Sequence, residues 1–503
     1  IVLQESAQEL EELIVVGYGV QRKRDLTGSV SSVKSSDVSL EAAPSIEYAL
    51  RGKVAGLTLR QNSAQPGGGF DILVRGAGSV NAGNEPLYIV DGFPIAQLDQ
   101  PGSGNERLDA GTQGILNFVN PNDIESVEVL KDASATAIYG SRASNGVVII
   151  TTKRGSEGKA KVQYSQTFAV QKHTDIYDVF TLKEWMDEKN KSSWDYWLWE
   201  NEVNPYGSRS LKEAINSPRN GVGFQLPYTD TEIENAPVEG TNWIDLVTRD
   251  GKIQQHNLSV QGGSDQTKFM ASLNYFKHDG IIRHSQMNRY TAKINVDQKI
   301  SEIFNAGINL IASRLNNSNV PLGDEQWEKS GIIRAAIQMG PHIQATDENG
   351  NYPINPLLPT QPNPFSLLTV EDNGLMDRML TNAFLQASPI ESLSFKLNVG
   401  LDRAYQSRKT YMPRSTLHGE LSNGLATVNE SNNEQYLVEL TSNFTKEFGT
   451  SHRFNALAGY SYESFKNTGI STGNNGFLSD AFRWNNLNAG EGTKVVGSWG
   501  YEN

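Results

Sequence analysis

The seven histidines are scattered and the chain contains no cysteine, which removes disulfides, thiolate metal sites and a cysteine nucleophile. No H-E-x-x-H pair or zinc-ligand spacing occurs, and no paired acid/base or nucleophile set of the kind a hydrolase needs stands out. The run Gln65, Pro66, Gly67, Gly68, Gly69 invites comparison with a phosphate cradle. Neither a Lys-Ser/Thr pair nor a helix follows it, so a structural turn is expected. Residues 347–351, DENGN, have the acidic start of a calcium loop but lack the downstream bidentate glutamate. A plain turn is expected there too. No catalytic residue, metal ligand or cofactor is assigned.

Two groups remain that could act by binding. Trp185, Trp194, Trp197 and Trp199 are half of the eight tryptophans and fall in a helix expected over residues 181–202. Exposed indoles could stack on sugar rings; alternatively, the cluster packs a loop against its neighbours or a partner protein. The second group is residues 9–19, ELEELIVVGYG, with high strand propensity and no amphipathic partner of its own. It is either an edge strand of a small domain or a strand donated to another protein's sheet edge.

The element that organises the first part of the chain is residues 121–155, PNDIESVEVLKDASATAIYGSRASNGVVIITTKRG. It reads as a turn at Pro121, a strand over 124–130, and a short helix over 133–138 capped by Asp132. A turn at Tyr139, Gly140, Ser141 and Arg142 follows, then a β-branched strand over 147–152 buried on both faces. Earlier segments suggest a strand at 28–33, a helix at 45–51, and strands at 54–59, 71–76 and 86–94. The unit names no chemistry by itself.

Its wording does. Residues 121–155 resemble the end of the plug domain of TonB-dependent outer-membrane transporters, in the form typical of the SusC/RagA-like branch. The strands around Val74-Arg75-Gly76 and Tyr88-Ile89-Val90-Asp91-Gly92 are similar to two further plug motifs, in family order. Glu12, Leu13, Ile14, Val15, Val16, Gly17 and Tyr18 are similar to the TonB box of that branch and stand where it should, ahead of the plug. Arg75, Asp91, Tyr139 and Arg142 then have a structural role in the plug. Internal salt bridges to the polar wall of a barrel are expected for the charged ones.

Composition agrees with that class. A net charge of −13 argues against nucleic acid, and 20% charged residues are too few for a disordered chain. No apolar run approaches the roughly 20 residues of a membrane helix, so the chain could span a bilayer only as a closed barrel. From Lys159 onward, segments of strand length alternate. Tyr290, Ala292, Ile294 and Val296 interleave with Arg289, Thr291, Lys293, Asn295 and Asp297; Leu393, Phe395, Leu397, Val399 and Leu401 interleave with Ser394, Lys396, Asn398, Gly400 and Asp402. A soluble sandwich also alternates, but whole charges on the second face suit a wet lumen. Asp279-Gly280 reads as a short turn, whereas residues 171–251, 314–377 and 404–434 read as long loops, an asymmetry typical of outer-membrane barrels. Seven prolines fall in the second loop, which is expected to be rigid and extended.

The expected fold is therefore mainly β: a transmembrane antiparallel β-barrel with an α+β plug in its lumen. The expected division is 1–19 (end of an N-terminal extension and TonB box), 20–157 (plug) and 158–503 (first part of the barrel). Only eight to ten strands can be found of the 22 expected in a full plugged transporter, so the chain reads as an N-terminal portion. The resemblance implies TonB-dependent import of an oligosaccharide or a peptide, with TonB, a SusD-like surface lipoprotein and outer-membrane lipid as partners. It implies the outer membrane of a Bacteroidetes-type bacterium and no enzymatic activity. A non-transporting surface adhesin is the competing class.

Overall fold

The computed structural model describes residues 13–16, 19–22, 30–35, 45–76, 83–96, 98, 101–104, 108, 113–174, 178–323, 331–448 and 452–503. The first two strands, β1 (Leu13–Val16) and β2 (Gly19–Arg22), form an antiparallel pair of their own. Next come β3 (Val30–Lys34), helix α1 (Ile46–Leu50), β4 (Leu57–Gln61), β5 (Phe70–Val74), β6 (Leu87–Val90), β7 (Phe93–Pro94), β8 (Ile124–Leu130), α2 (Ala133–Thr136) and β9 (Val147–Thr152). Five of these strands make one sheet in the order β3-β8-β9-β6-β7, and β4 and β5 form a separate hairpin.

Strand β9 is central, antiparallel to β8 and parallel to β6, and its β-branched run is buried as the sequence implies. Strands β8 and β9 have the bounds read from the sequence. Asp132 also caps as expected, its Oδ1 accepting from Ala135 N at 3.1 Å. The helix after it is shorter than expected: it passes into a 3-10 segment, Ala137–Ala143, in which Gly140 takes φ 69° and ψ −154°. The glycine-rich stretch is the turn of the β4–β5 hairpin, closed by Gly68 N donating to Gln65 O at 2.9 Å. A Cβ on Gly67 would lie 2.6 Å from Met287 Sδ, so glycine lets this turn touch the neighbouring wall.

That wall is one ten-stranded antiparallel sheet in strict chain order. Its strands are β10 (Gly158–Gln171), β11 (Gly251–Gly263), β12 (Thr267–Asp279), β13 (Gln286–Lys299), β14 (Phe304–Ser318), β15 (Glu371–Ile390), β16 (Leu393–Met412), β17 (Leu425–Phe448), β18 (His452–Asn475) and β19 (Val495–Glu502). The alternation sorts as expected. Tyr290 and Ile294 are exposed on the outward face, whereas Arg289, Thr291, Lys293 and Asn295 are buried. What buries them is the plug, not a second sheet layer. Ile311, Leu380 and Leu437 of the wall share one apolar core with Ile72, Val90, Phe118, Val148 and Ile150 of the plug.

The later strands are longer than a bilayer crossing requires. Strands β17 and β18 run for 24 residues each, against the 9–11 residues that span a membrane. This corrects the loop expected over residues 404–434, most of which is strand in β16 and β17. Its upper part is polar on both faces, with Asn429, Ser431 and Asn433 inward and Glu430, Asn432 and Glu434 outward, so no apolar alternation marks it.

The connections are short at one end (residues 264–266, 300–303 and 391–392) and long at the other. Asp279 ends β12 and Gly280 opens the 280–285 connection, which joins neighbouring strands as expected but lies on the side of the long connections, not with the short turns. The first long connection holds α3 (Leu182–Glu200), α4 (Leu211–Asn216), α5 (Asp230–Asn235) and α6 (Trp243–Val247). A capping box between Thr181 and Glu184 starts α3. The second holds α7 (Ile332–Gln338) and α8 (Pro364–Leu367), and is folded where its prolines suggested an extended chain. Pro364 opens α8, a position where the missing N–H costs nothing. Trp243 and Val247 pack with Ile332, Ala335, Met339 and Leu367, so the two connections share one apolar core.

The outward face makes a direct prediction. Ile294→Lys should cost about 2–4 kcal/mol in a folding titration into lipid vesicles. An unchanged folding equilibrium would mean that Ile294 does not face lipid.

Candidate functional site

The plug is seated on the wall chiefly through its own backbone carbonyls. Arg289 Nη1 donates to Asn117 O at 3.1 Å, and Gln435 Nε2 donates to Pro94 O at 2.9 Å. Asn382 Nδ2 donates to Asp91 O at 3.0 Å, and Asn429 Nδ2 to Gly102 O at 2.8 Å. Lys293 Nζ donates to Lys153 O. Each donor stands on a strand whose inward positions are mostly polar, so the alternation that makes the outer face apolar also supplies the seat.

One ion pair anchors the wall itself. Arg378 Nη2 and Asp402 Oδ2 are 2.5 Å apart, and both side chains are almost wholly buried. The same guanidinium lies 4.3 Å from the Phe118 ring centroid and donates to Ala96 O at 3.4 Å. The sequence places Asp402 on the polar face, but Arg378 is 24 residues away and only the β15–β16 register brings them together.

The four plug residues singled out from the sequence take different roles. Arg142 Nη1 reaches Glu463 of the wall at 2.6 Å, an ion pair of the expected kind. Asp91 has no ion pair among the described residues. Its carboxylate accepts from Thr152 N at 2.9 Å, Thr152 Oγ1 at 2.6 Å and Asn309 Nδ2 at 2.6 Å. It thus ties the end of β9 to the wall through neutral donors, with its own backbone at φ 49°. Arg75 is exposed at φ 61° and makes no ion pair among the described residues, so the expected salt bridge is absent there. Tyr139 packs on the apolar cluster of Leu130, Val147 and Ile149.

Of the strand-forming segment near the start, Leu13, Ile14, Val15 and Val16 form β1, which among the described residues pairs with β2 and not with the plug sheet. Glu12, Gly17 and Tyr18 lie outside the described residues. Three of the four tryptophans pack internally. Trp185 stacks on His342 of the second long connection at 3.9 Å, and Trp194 stacks on Trp197 at 5.5 Å. Trp199 is exposed beside Tyr196, their rings 5.7 Å apart. Residues 347–351 form a turn closed on Asp347, whose Oδ1 accepts from Asn349 N and Asn351 N.

One further string has the spacing of a catalytic motif. Residues 469–473, GISTG, have G-x-S-x-G spacing. They run straight through β18, and Ser471 Oγ donates to Asn429 Oδ1. A nucleophile elbow needs a sharp strand-to-helix turn, so this is none.

The comparisons with known proteins agree with this geometry. Residues 22–147 match the TonB-dependent receptor plug domain. The chain is 30% identical over 503 residues to TonB-dependent receptor P3 of Formosa agariphila, covering 99% of this chain and 44% of that protein. It is 35% identical over 320 residues to TonB-dependent receptor SusC of Bacteroides thetaiotaomicron, covering 63% of this chain and 27% of that protein. The RagAB peptide importer in its open-open state superposes with a TM-score of 0.72 at 23% identity, over 98% of this chain and 53% of that one.

The chain belongs to the SusC/RagA-like TonB-dependent receptors. It spans under half the length of the curated relatives named here. Those relatives are TonB-dependent receptors.

Two measurements on this receptor test the charges buried in plug and wall. Glu47 of α1 is buried in the plug, and burial holds its carboxyl above its ordinary value of 4.5. A carboxyl raised by folding favours the folded state most when protonated, so its contribution is full below 4.5 and is lost as pH rises through the folded value. Glu47→Gln should therefore slow hydrogen exchange in the plug strands at about pH 7 and flatten its pH dependence down to about pH 4. Wild-type dependence in the variant would remove Glu47 from the account. Separately, Arg378→Met leaves Asp402 buried without its cation and should destabilise the wall by about 3–5 kcal/mol. Adding Asp402→Leu should recover most of that in a denaturant titration; no recovery would mean the pair is not the cause.

Proposed function

We propose that the receptor containing this chain imports an oligosaccharide across the outer membrane of a Bacteroidetes-type bacterium. TonB supplies the force from the periplasmic side, and a SusD-like lipoprotein covers the opposite mouth. The proposed division is 1–19 for the end of an extension and the TonB box, 20–157 for the plug, and 158–503 for the first part of the barrel.

The observation that carries this reading is the seat. A plug held through carbonyls by amides and cations can exchange those bonds for water, whereas a dry apolar interface could not be opened at comparable cost. The pairing of β1 outside the plug sheet supports Leu13–Val16 as the segment TonB grips by strand addition. The buried wall cations are already engaged, Arg378 and Arg408 by Asp402 and Asp372 and Arg289 and Lys293 by plug carbonyls, which favours a neutral, hydrogen-bonding cargo. The exposed Trp199–Tyr196 pair would offer a sugar or the lipoprotein an aromatic contact. A peptide cargo is the second reading, since lumen amides serve a peptide backbone as well as a sugar.

Deleting residues 11–19 should abolish uptake of the cognate glycan while leaving its binding at the cell surface intact. Normal uptake by the deletion strain, or uptake indifferent to the proton-motive force, would favour the adhesin class instead.

A further inference from the structure

We propose that the outward face of the wall carries a binding site for an anionic glycolipid, an acylated saccharide bearing phosphate or carboxylate groups on its sugars. The inference rests on the reading of the wall as membrane-spanning and adds a specific ligand to its lipid side.

The strand register stacks this face in tiers. In the lowest, Leu273, Ala292, Ala312 and Met379 are direct neighbours across β12 to β15. The two alanines leave a trough between the larger side chains, part of a concavity of about 1020 Å³. One tier up, Tyr275, Tyr290, Arg314, Asp377 and Tyr405 are neighbours in turn. Tyr275 and Tyr290 lie 5.2 Å apart, and Arg314 is neutralised by Asp377 at 2.6 Å. This is an aromatic belt with no net charge.

Above the belt the chemistry changes. A cleft of about 300 Å³ presents Asn288, Asn316, Ser318 and Asn373 together with Lys409. It shares Tyr405 with the trough below, and Gln286, Ser318 and Asn373 with a pocket of about 810 Å³ above. That upper pocket brings Arg249, Arg283 and His284 beside Tyr352 and Phe365. Its two acids are already engaged, Glu371 with Arg483 and Asp372 with Arg408. Lys409 and Arg283 have no carboxylate within ion-pair distance among the described residues. The groove is thus continuous: apolar with the Arg403–Glu434 ion pair at its edge, then aromatic, then amide-rich, then cationic.

The spacing selects the ligand. From Arg314 to Ser318 is four residues along β14, roughly 13 Å at 3.3 Å per residue. A glycerophospholipid places its phosphate at the belt, where the charges cancel. Sugars are needed to carry an anion as far as Lys409 and Arg283, and the intervening amides suit their hydroxyls.

The test uses the full receptor in nanodiscs of phosphatidylethanolamine containing a minor fraction of either a phosphorylated lipid A-type glycolipid or phosphatidylglycerol, read by native mass spectrometry. The glycolipid should be retained at least about tenfold more than phosphatidylglycerol, and Arg283→Gln with Lys409→Gln should remove about that factor. Ala312→Trp, which fills the trough without touching a charge, should lower retention independently. Equal retention of the two lipids, indifference to both variants, or full displacement by inorganic phosphate would each overturn the site. Failure of the receptor to insert would overturn the membrane reading as well, and is distinguished by the absence of any bound lipid.

Discussion

The structure depends on matching a polar stopper to a polar wall. An antiparallel sheet with one face toward lipid must put its hydrogen-bonding side chains on the other, and those need partners once the lumen is filled. The plug provides them as backbone carbonyls. Asn117, Pro94, Asp91, Gly102 and Lys153 each offer a carbonyl oxygen to a wall donor. A smaller apolar patch through Ile311, Leu380 and Leu437 joins the plug core to the wall. The plug is held in one place by many replaceable contacts.

The same constraint shapes the mouth. Strands of 20 to 24 residues carry β15 to β18 well beyond a bilayer's thickness, and they become polar on both faces as they leave it. The two longest connections are not loose. Trp243 Nε1 of the first donates to Gly340 O of the second at 3.1 Å, and Trp185 stacks on His342 across the same boundary. They form one folded body above the wall.

Local features of this architecture are legible in the sequence. Strands β8 and β9 carry their own pattern, and Asp132 sits where a cap must. The two faces of β13 can be read from alternation alone. Features that need a partner are not legible. Arg378 finds Asp402 only through strand register, and Asp91 finds Asn309 only through the docking of plug on wall. The rising parts of β16 and β17 lack an apolar face and so resemble loop. Prolines in the second connection suggest extension, but Pro364 begins a helix. Residues 121–155 show a small β-α-β unit by pattern alone, and only their family wording marks a plug.

The most direct test of the seat exploits the absence of cysteine from these 503 residues. A Cβ on Gly104 of the plug would lie 3.2 Å from Thr427 Cβ of the wall, close to the separation a disulfide bridges. In the receptor carrying Gly104→Cys and Thr427→Cys, oxidation should join plug and wall, abolish uptake, and be reversed by reductant. Two reactive but unjoined thiols, or undiminished uptake by the joined form, would contradict a plug that sits in the wall and must shift for cargo to pass.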